Sequence, residues 1–94
     1  MDKLLGFICS VLDCYFDELK SERRGEISKK RRIAILVLFC VGYKKSEISR
    51  ILNKNLSSVC EALKNVSPEE RIQAFTITKG YQEWKKCVEN DFFN

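Results

Sequence analysis

Apolar residues recur at helical spacing along most of the chain, and the breaks between the periodic stretches carry capping and turn residues. Leu4, Leu5, Phe7, Ile8, Val11, Leu12 and Tyr15 make the first stripe, with Lys3, Ser10 and Asp13 left for the outer face. This predicts a helix from about Asp2 to Tyr15, with Asp17 to Leu19 as its last turn or a short extension. Lys20 to Glu26 has no apolar period and reads as an exposed basic loop. Ser28 opens the next helix, which runs through Lys29, Lys30, Arg31 and Arg32 into the apolar run Ile33 to Val41 and stops at Gly42 as a C′ residue. A run rich in Ile and Val would also suit a buried strand, but no second strand exists to pair with it. Apolar nearly all round, this is the expected central helix. Four consecutive cations in its first turn oppose the helix dipole, and an external anion would account for them.

Lys44 to Asn65 reads as two short helices joined by a tight turn. Ser46 is the expected N-cap of the first, whose apolar side is Ile48, Ile51 and Leu52. Asn53-Lys54-Asn55 is turn chemistry, since Asn tolerates the left-handed conformation. The second helix is capped by Ser57 or Asn55 and turns Val59, Ala62 and Leu63 inward, with Val66 one turn further on. A helix-turn-helix needs a small residue where its helices approach, an αL-tolerant residue at the turn and an aliphatic plug on the second helix; Ser49, Asn53 and Val59 supply them. The outward residues, Leu56, Ser57, Ser58, Glu61, Lys64 and Asn65, would then face a major groove.

Ser67-Pro68-Glu69-Glu70 is a capping box with Pro at the first helical position. The helix it starts is expected to bury Ile72, Phe75 and Ile77 and to reach about Lys79. Gly80 predicts a break or bend, followed by a last helix from Tyr81 to about Asn90 with Tyr81, Trp84 and Val88 in the core. Phe92 and Phe93 either fold back onto the bundle or mark a contact with another chain.

Composition narrows the function. Twelve Lys and Arg against four Glu lie between Lys20 and Lys64, a local charge of +8, whereas the rest of the chain carries −4. The basic excess surrounds the helix-turn-helix, where a phosphate-binding surface would be required. Five scattered cysteines (Cys9, Cys14, Cys40, Cys60, Cys87) read as reduced core residues of a cytoplasmic protein. With no His and no paired thiols, neither a metal site nor general acid–base or nucleophilic chemistry is expected. No apolar run approaches the roughly 20 residues that span a bilayer.

In this order of parts the chain resembles the C-terminal DNA-binding domain of the bacterial replication initiator DnaA, a helical relative of the Trp repressor. The matching pieces, between Leu4 and Val66, are the opening helix with its Tyr-containing segment and Asp17-Glu18-Leu19, the basic loop, and Arg31-Arg32-Ile33-Ala34 leading an apolar helix. Ser46-Glu47-Ile48 before the turn and Ser57-Ser58-Val59 with Ala62 after it complete the match. The resemblance implies that Arg23 or Arg24 enters the minor groove and that Arg31 is the Arg ahead of the apolar helix. It also places Lys54 before the recognition signature, where Asn55, Leu56, Ser57 and Ser58 stand for the family's Asp, His, Thr and Thr. Without that Asp and His the family's base preferences do not transfer. Nothing here resembles the phosphate-binding loop of the initiator's ATPase module, so the implication is a stand-alone DNA-binding domain.

These readings predict an all-α protein, a compact bundle of five to six helices containing a helix-turn-helix, in one domain over 1–94. It is expected to bind double-stranded DNA in the bacterial cytoplasm or nucleoid, as an accessory or regulator of replication or transcription, without enzymatic activity, cofactor, nucleotide, metal or membrane. The expected contacts are Arg23, Arg24, Lys29, Lys30, Arg31, Arg32, Lys44 and Lys45 to the backbone or minor groove, and Lys54, Asn55, Leu56, Ser57, Ser58, Glu61 and Lys64 around the major groove. A homodimer or protein partner would use the C-terminal aromatics. The competing reading is a helical protein-interaction module whose basic face docks an acidic partner.

Overall fold

The computed structural model describes residues 2–21 and 25–93, with side chains over 3–20 and 25–87. Six helices account for the regular structure of these residues: α1 (Asp2–Leu12), α2 (Phe16–Ser21), α3 (Gly25–Val41), α4 (Lys45–Ile51), α5 (Leu56–Lys64) and α6 (Pro68–Phe93). The all-α bundle expected from the periodicity is what forms.

Three of the helices end in the same way. Asp13 (φ 54°), Gly42 (φ 125°) and Asn53 (φ 52°) each take a positive φ just past the last turn. Two backbone bonds then close each end, as in the Schellman arrangement. Cys14 N–H donates to the Cys9 carbonyl (3.0 Å) and Asp13 N–H to Ser10 (3.4 Å); Tyr43 donates to Leu38 (3.1 Å) and Gly42 to Phe39 (3.2 Å); Lys54 donates to Ser49 (2.9 Å) and Asn53 to Arg50 (3.3 Å). Helix starts use acidic side chains three residues on. Tyr15 N–H donates to Glu18 Oε1 (2.9 Å) and Lys44 N–H to Glu47 Oε1 (3.0 Å). At α6 the box is reciprocal, with Ser67 N–H donating to Glu70 Oε1 (2.9 Å) and Glu70 N–H to Ser67 Oγ (3.2 Å).

All six helices feed one apolar core. Leu4 and Ile8 of α1, Leu19 of α2, Ile33, Ala34, Ile35, Val37 and Leu38 of α3, Ile48 and Leu52 from the α4 region, Val59 of α5, and Ala74 and Ile77 of α6 form a single buried cluster. The long helix α3 touches each of the other five, so it is the central element that its composition predicts. Phe7 joins α1 to α6 through ring contacts with Tyr81 (centroids 5.6 Å apart) and Trp84 (6.0 Å), which also meet each other at 5.9 Å within α6.

Several boundaries differ from expectation. α1 stops at Leu12 because Asp13 turns left-handed; Tyr15 is therefore thrown outward, 79% exposed, and Val11 is also exposed. Asp17 to Leu19 belongs to the separate α2, which also takes in Lys20 and Ser21. α3 begins at Gly25 and buries Ile27, so Ser28 lies inside the helix and the four cations are not in its first turn. Past the first turn the helix dipole no longer acts on these cations, so it calls for no anion beside them. The N-cap of α4 is Lys44, with Ser46 inside the first turn; a Lys ammonium accepts nothing, so the Glu47 half of the box does the capping.

α6 is one helix through Gly80, and its buried face is Glu70, Ala74, Ile77 and Thr78, while Ile72 and Phe75 point to solvent. Tyr81 is half-buried and Trp84 exposed, short of the core placement expected for both. Thr78 is accommodated by donating its hydroxyl to the Ala74 carbonyl (2.8 Å). The side chains of Val88, Phe92 and Phe93 lie outside the described residues. None of the five free cysteines is fully buried, and Cys40 and Cys87 are exposed. Burial, reinforced by the neighbouring Cys14 thiol, still pushes the Cys9 thiol up to about 11.

A Cβ added at Gly80 would meet Phe7 Cζ at 3.7 Å, an ordinary contact. A mid-helix Gly costs about 0.5–1 kcal/mol relative to Ala. Gly80→Ala is therefore expected to raise the unfolding free energy by about that amount in urea titrations. A loss of stability instead would mean that the chain bends at this position.

Candidate nucleic-acid interface

α4 and α5 are set against each other by the turn between them. Asn53 holds the left-handed position, and Ser49 Oγ donates to the Lys54 carbonyl (2.6 Å), so the small residue of α4 secures the turn directly. Asn55 occupies the N-cap of α5 in extended conformation, its carbonyl accepting from Val59 N–H (3.1 Å), without a side-chain cap bond. Ile48, Leu52 and Val59 are fully buried and Ala62 and Leu63 partly so, which fixes the roll of α5 about its axis. Leu56, Ser57, Ser58, Glu61, Lys64 and Asn65 are consequently all exposed on the opposite side.

Beside this exposed face runs an open cleft of about 610 Å³. Its α3 wall is Ser28, Arg31, Arg32 and Ile35; the turn contributes Asn53, Lys54 and Asn55; α5 contributes Ser58, Glu61 and Ala62, with Asn65 just beyond its end. Six of the residues expected at a DNA contact, Arg31, Arg32, Lys54, Asn55, Ser58 and Glu61, thus line one concavity. Ser28, expected as a cap, lines it too. It shares a helix side with Arg31, Arg32 and Ile35 at i, i+3, i+4 and i+7, a spacing visible in the sequence.

The other expected cations are dispersed. At 100° per residue, positions 28, 31, 32 and 35 fall on one side of α3, and 26, 29, 30 and 33 on the other. Lys29 and Lys30 accordingly face a different groove, between α1 and α6, and Lys30 Nζ donates to the Asp13 carbonyl at the end of α1 (3.1 Å). Lys44 and Lys45 are exposed at the start of α4, outside the cleft. Arg23 and Arg24 lie outside the described residues.

Both cleft arginines also hold the fold together. Arg31 donates through Nε to the Leu19 carbonyl and through Nη2 to Glu18 (3.5 Å), satisfying the last turn of α2 where a cation is favoured. Arg32 meets Glu70 side-on, with Nε 3.2 Å from both carboxylate oxygens and Nη2 3.0 Å from Oε2. Burial alone would raise the Glu70 pKa. The bonds from Arg32 and Ser67 outweigh it and hold the carboxyl below its ordinary value. Among the described residues no group of three or more His, Cys, Asp or Glu could hold a metal ion, and no helix is long and apolar enough to cross a membrane.

No family model, no curated protein and no solved structure matches the chain.

Proposed function

We propose that this chain binds double-stranded DNA, with α4, the 52–55 turn and α5 acting as a helix-turn-helix. Support comes above all from the outward face of α5: a short helix held in place by Ile48, Leu52 and Val59 presents five polar or charged residues and Leu56 to solvent beside a cleft carrying Arg31, Arg32 and Lys54. In this reading Ser57, Ser58, Glu61 and Lys64 meet base edges, where Glu61 can accept from a cytosine amino group. Lys54, Lys44 and Lys45 meet phosphates and set the register. Arg31 borders the same cleft while closing α2, so its loss would disturb folding as well as binding. By the resemblance to the initiator domain, such a protein would act as an accessory or regulator of replication or transcription.

The test is fluorescence anisotropy of the whole chain against random duplex DNA from about 50 to 200 mM salt, with a slope near −0.9 per phosphate contacted. Lys54→Ala is expected to weaken binding to all sequences and to reduce the slope by about one. Ser58→Ala and Lys64→Ala are expected to change which sequences emerge from a selection experiment. No binding at the lowest salt would sink the proposal and leave the cleft as a surface for an acidic protein segment.

A further inference from the structure

The groove on the other side of α3 is apolar where the cleft is polar. Ile33 and Ile77 form its floor, buried to 2% and 5% exposure, and Leu12 closes the α1 end. Val11 and Ile72 form its walls at 52% and 66% exposure, and the space between them is about 570 Å³. Large aliphatic side chains facing each other across an open groove mark an interaction site more often than singly scattered ones do. The rim is cationic: Lys29 is exposed, and Lys30 is held over the end of α1 by its bond to the Asp13 carbonyl, with Glu26 as the acidic exception.

We infer that this groove docks an acidic amphipathic helix from a partner protein. An apolar floor between three helices suits a helix laid in lengthwise, with anchors at i, i+3 or i+4, and i+7. The rim chooses its charge: Lys29 and Lys30 favour Glu and Asp on the flanks of the incoming helix. A second copy of this chain, carrying a formal charge of +4, matches that rim less well. Because Lys29, Lys30 and Ile33 point away from Arg31, Arg32 and Ile35 on α3, the partner and a ligand in the polar cleft can be held at once.

A display library of helix-forming peptides of about twenty residues, long enough for helix formation, selected against the full chain tests this. The enriched peptides are expected to be net negative with helically spaced apolar anchors. Measured by anisotropy, Ile72→Asp and Lys29→Glu should each weaken their binding by about tenfold or more, whereas Phe75→Asp, exposed on α6 but outside the groove, should leave it within about twofold. Lys29→Glu alters an exposed position, so it reads the groove even if Ile72→Asp disturbs the fold. No enrichment, enrichment of basic peptides, or binding indifferent to both groove variants would overturn the proposal. So would self-association of the chain that Ile72→Asp abolishes, which would assign the groove to a second copy.

Discussion

Leu52→Ala is expected to lower the unfolding free energy by about 3 kcal/mol, in the lower half of the range for deleting a fully buried Leu. Leu52 has no exposed surface and sits at the C-cap of α4, where its N–H donates to the Ile48 carbonyl at 3.0 Å. Its side chain joins Ile48 and Val59 in the core, so truncation leaves a void where α4, α5 and α3 meet, and short helices joined by tight turns cannot slide together to fill it. For a chain of this size the loss corresponds to a melting point lower by roughly 12–24 °C. Ile72→Ala serves as the contrast. The side chain is as apolar but two-thirds exposed, and its removal should change stability by no more than about 0.5 kcal/mol. Urea titrations of both variants decide the matter, and comparable losses would mean that α6 is packed with the wrong face inward.

Glu70→Ala removes three things at once: the acceptor for Ser67 N–H, the helix-start charge, and the partner of Arg32. Breaking a buried pair by deleting one ion costs about 3–5 kcal/mol, and losing a cap about 1. The Arg32 side chain keeps a third of its surface in water, which moves the expected total down to about 2–3 kcal/mol. Glu70→Gln retains an acceptor for Ser67 and loses the charge, so it should cost less. Because the folded carboxyl titrates below its ordinary 4.5, its contribution is fully present above that value and fades as pH falls through the folded pKa. The stability gap between the native chain and Glu70→Gln should accordingly be full at neutral pH and narrow under acid. A gap independent of pH would show that the carboxylate charge contributes nothing.

How much of this was legible depends on how local the deciding interaction is. Gly42, Asn53 and the Ser67–Glu70 box act within five residues of themselves, and each ends or starts a helix where the sequence predicts. Asp13 uses the same chemistry but hides inside an apolar stripe that continues past it to Tyr15. The face of α6 was legible only at Ile77, because the rest of what it buries is an acid, an alanine and a threonine, while two large apolar residues are left outside. Glu70 is buried for the sake of an arginine 38 residues away, a separation no periodicity reveals. Three Schellman contacts, by contrast, need nothing beyond one turn. At the candidate interface the outward face of α5 follows from spacing alone. Lys29 to Arg32 is different: consecutive in sequence, these residues look like one cationic cluster, but the helical pitch divides them between an apolar groove and a polar cleft.

The three left-handed helix ends also bear on the order in which the molecule assembles. Each reversal is settled by bonds spanning five residues or fewer, so α1 to α2, α3 to α4, and α4 to α5 can form as local hairpins at little loop-closure cost. The most extensive pairing, α3 with α6, closes a much longer loop and brings Arg32 to Glu70. On loop-closure cost, docking of α6 onto these neighbours is therefore expected to be the slow step, as stopped-flow refolding would show. Substitutions at Asn53 would be felt chiefly in the rate at which the chain folds, and those at Glu70 chiefly in the rate at which it comes apart.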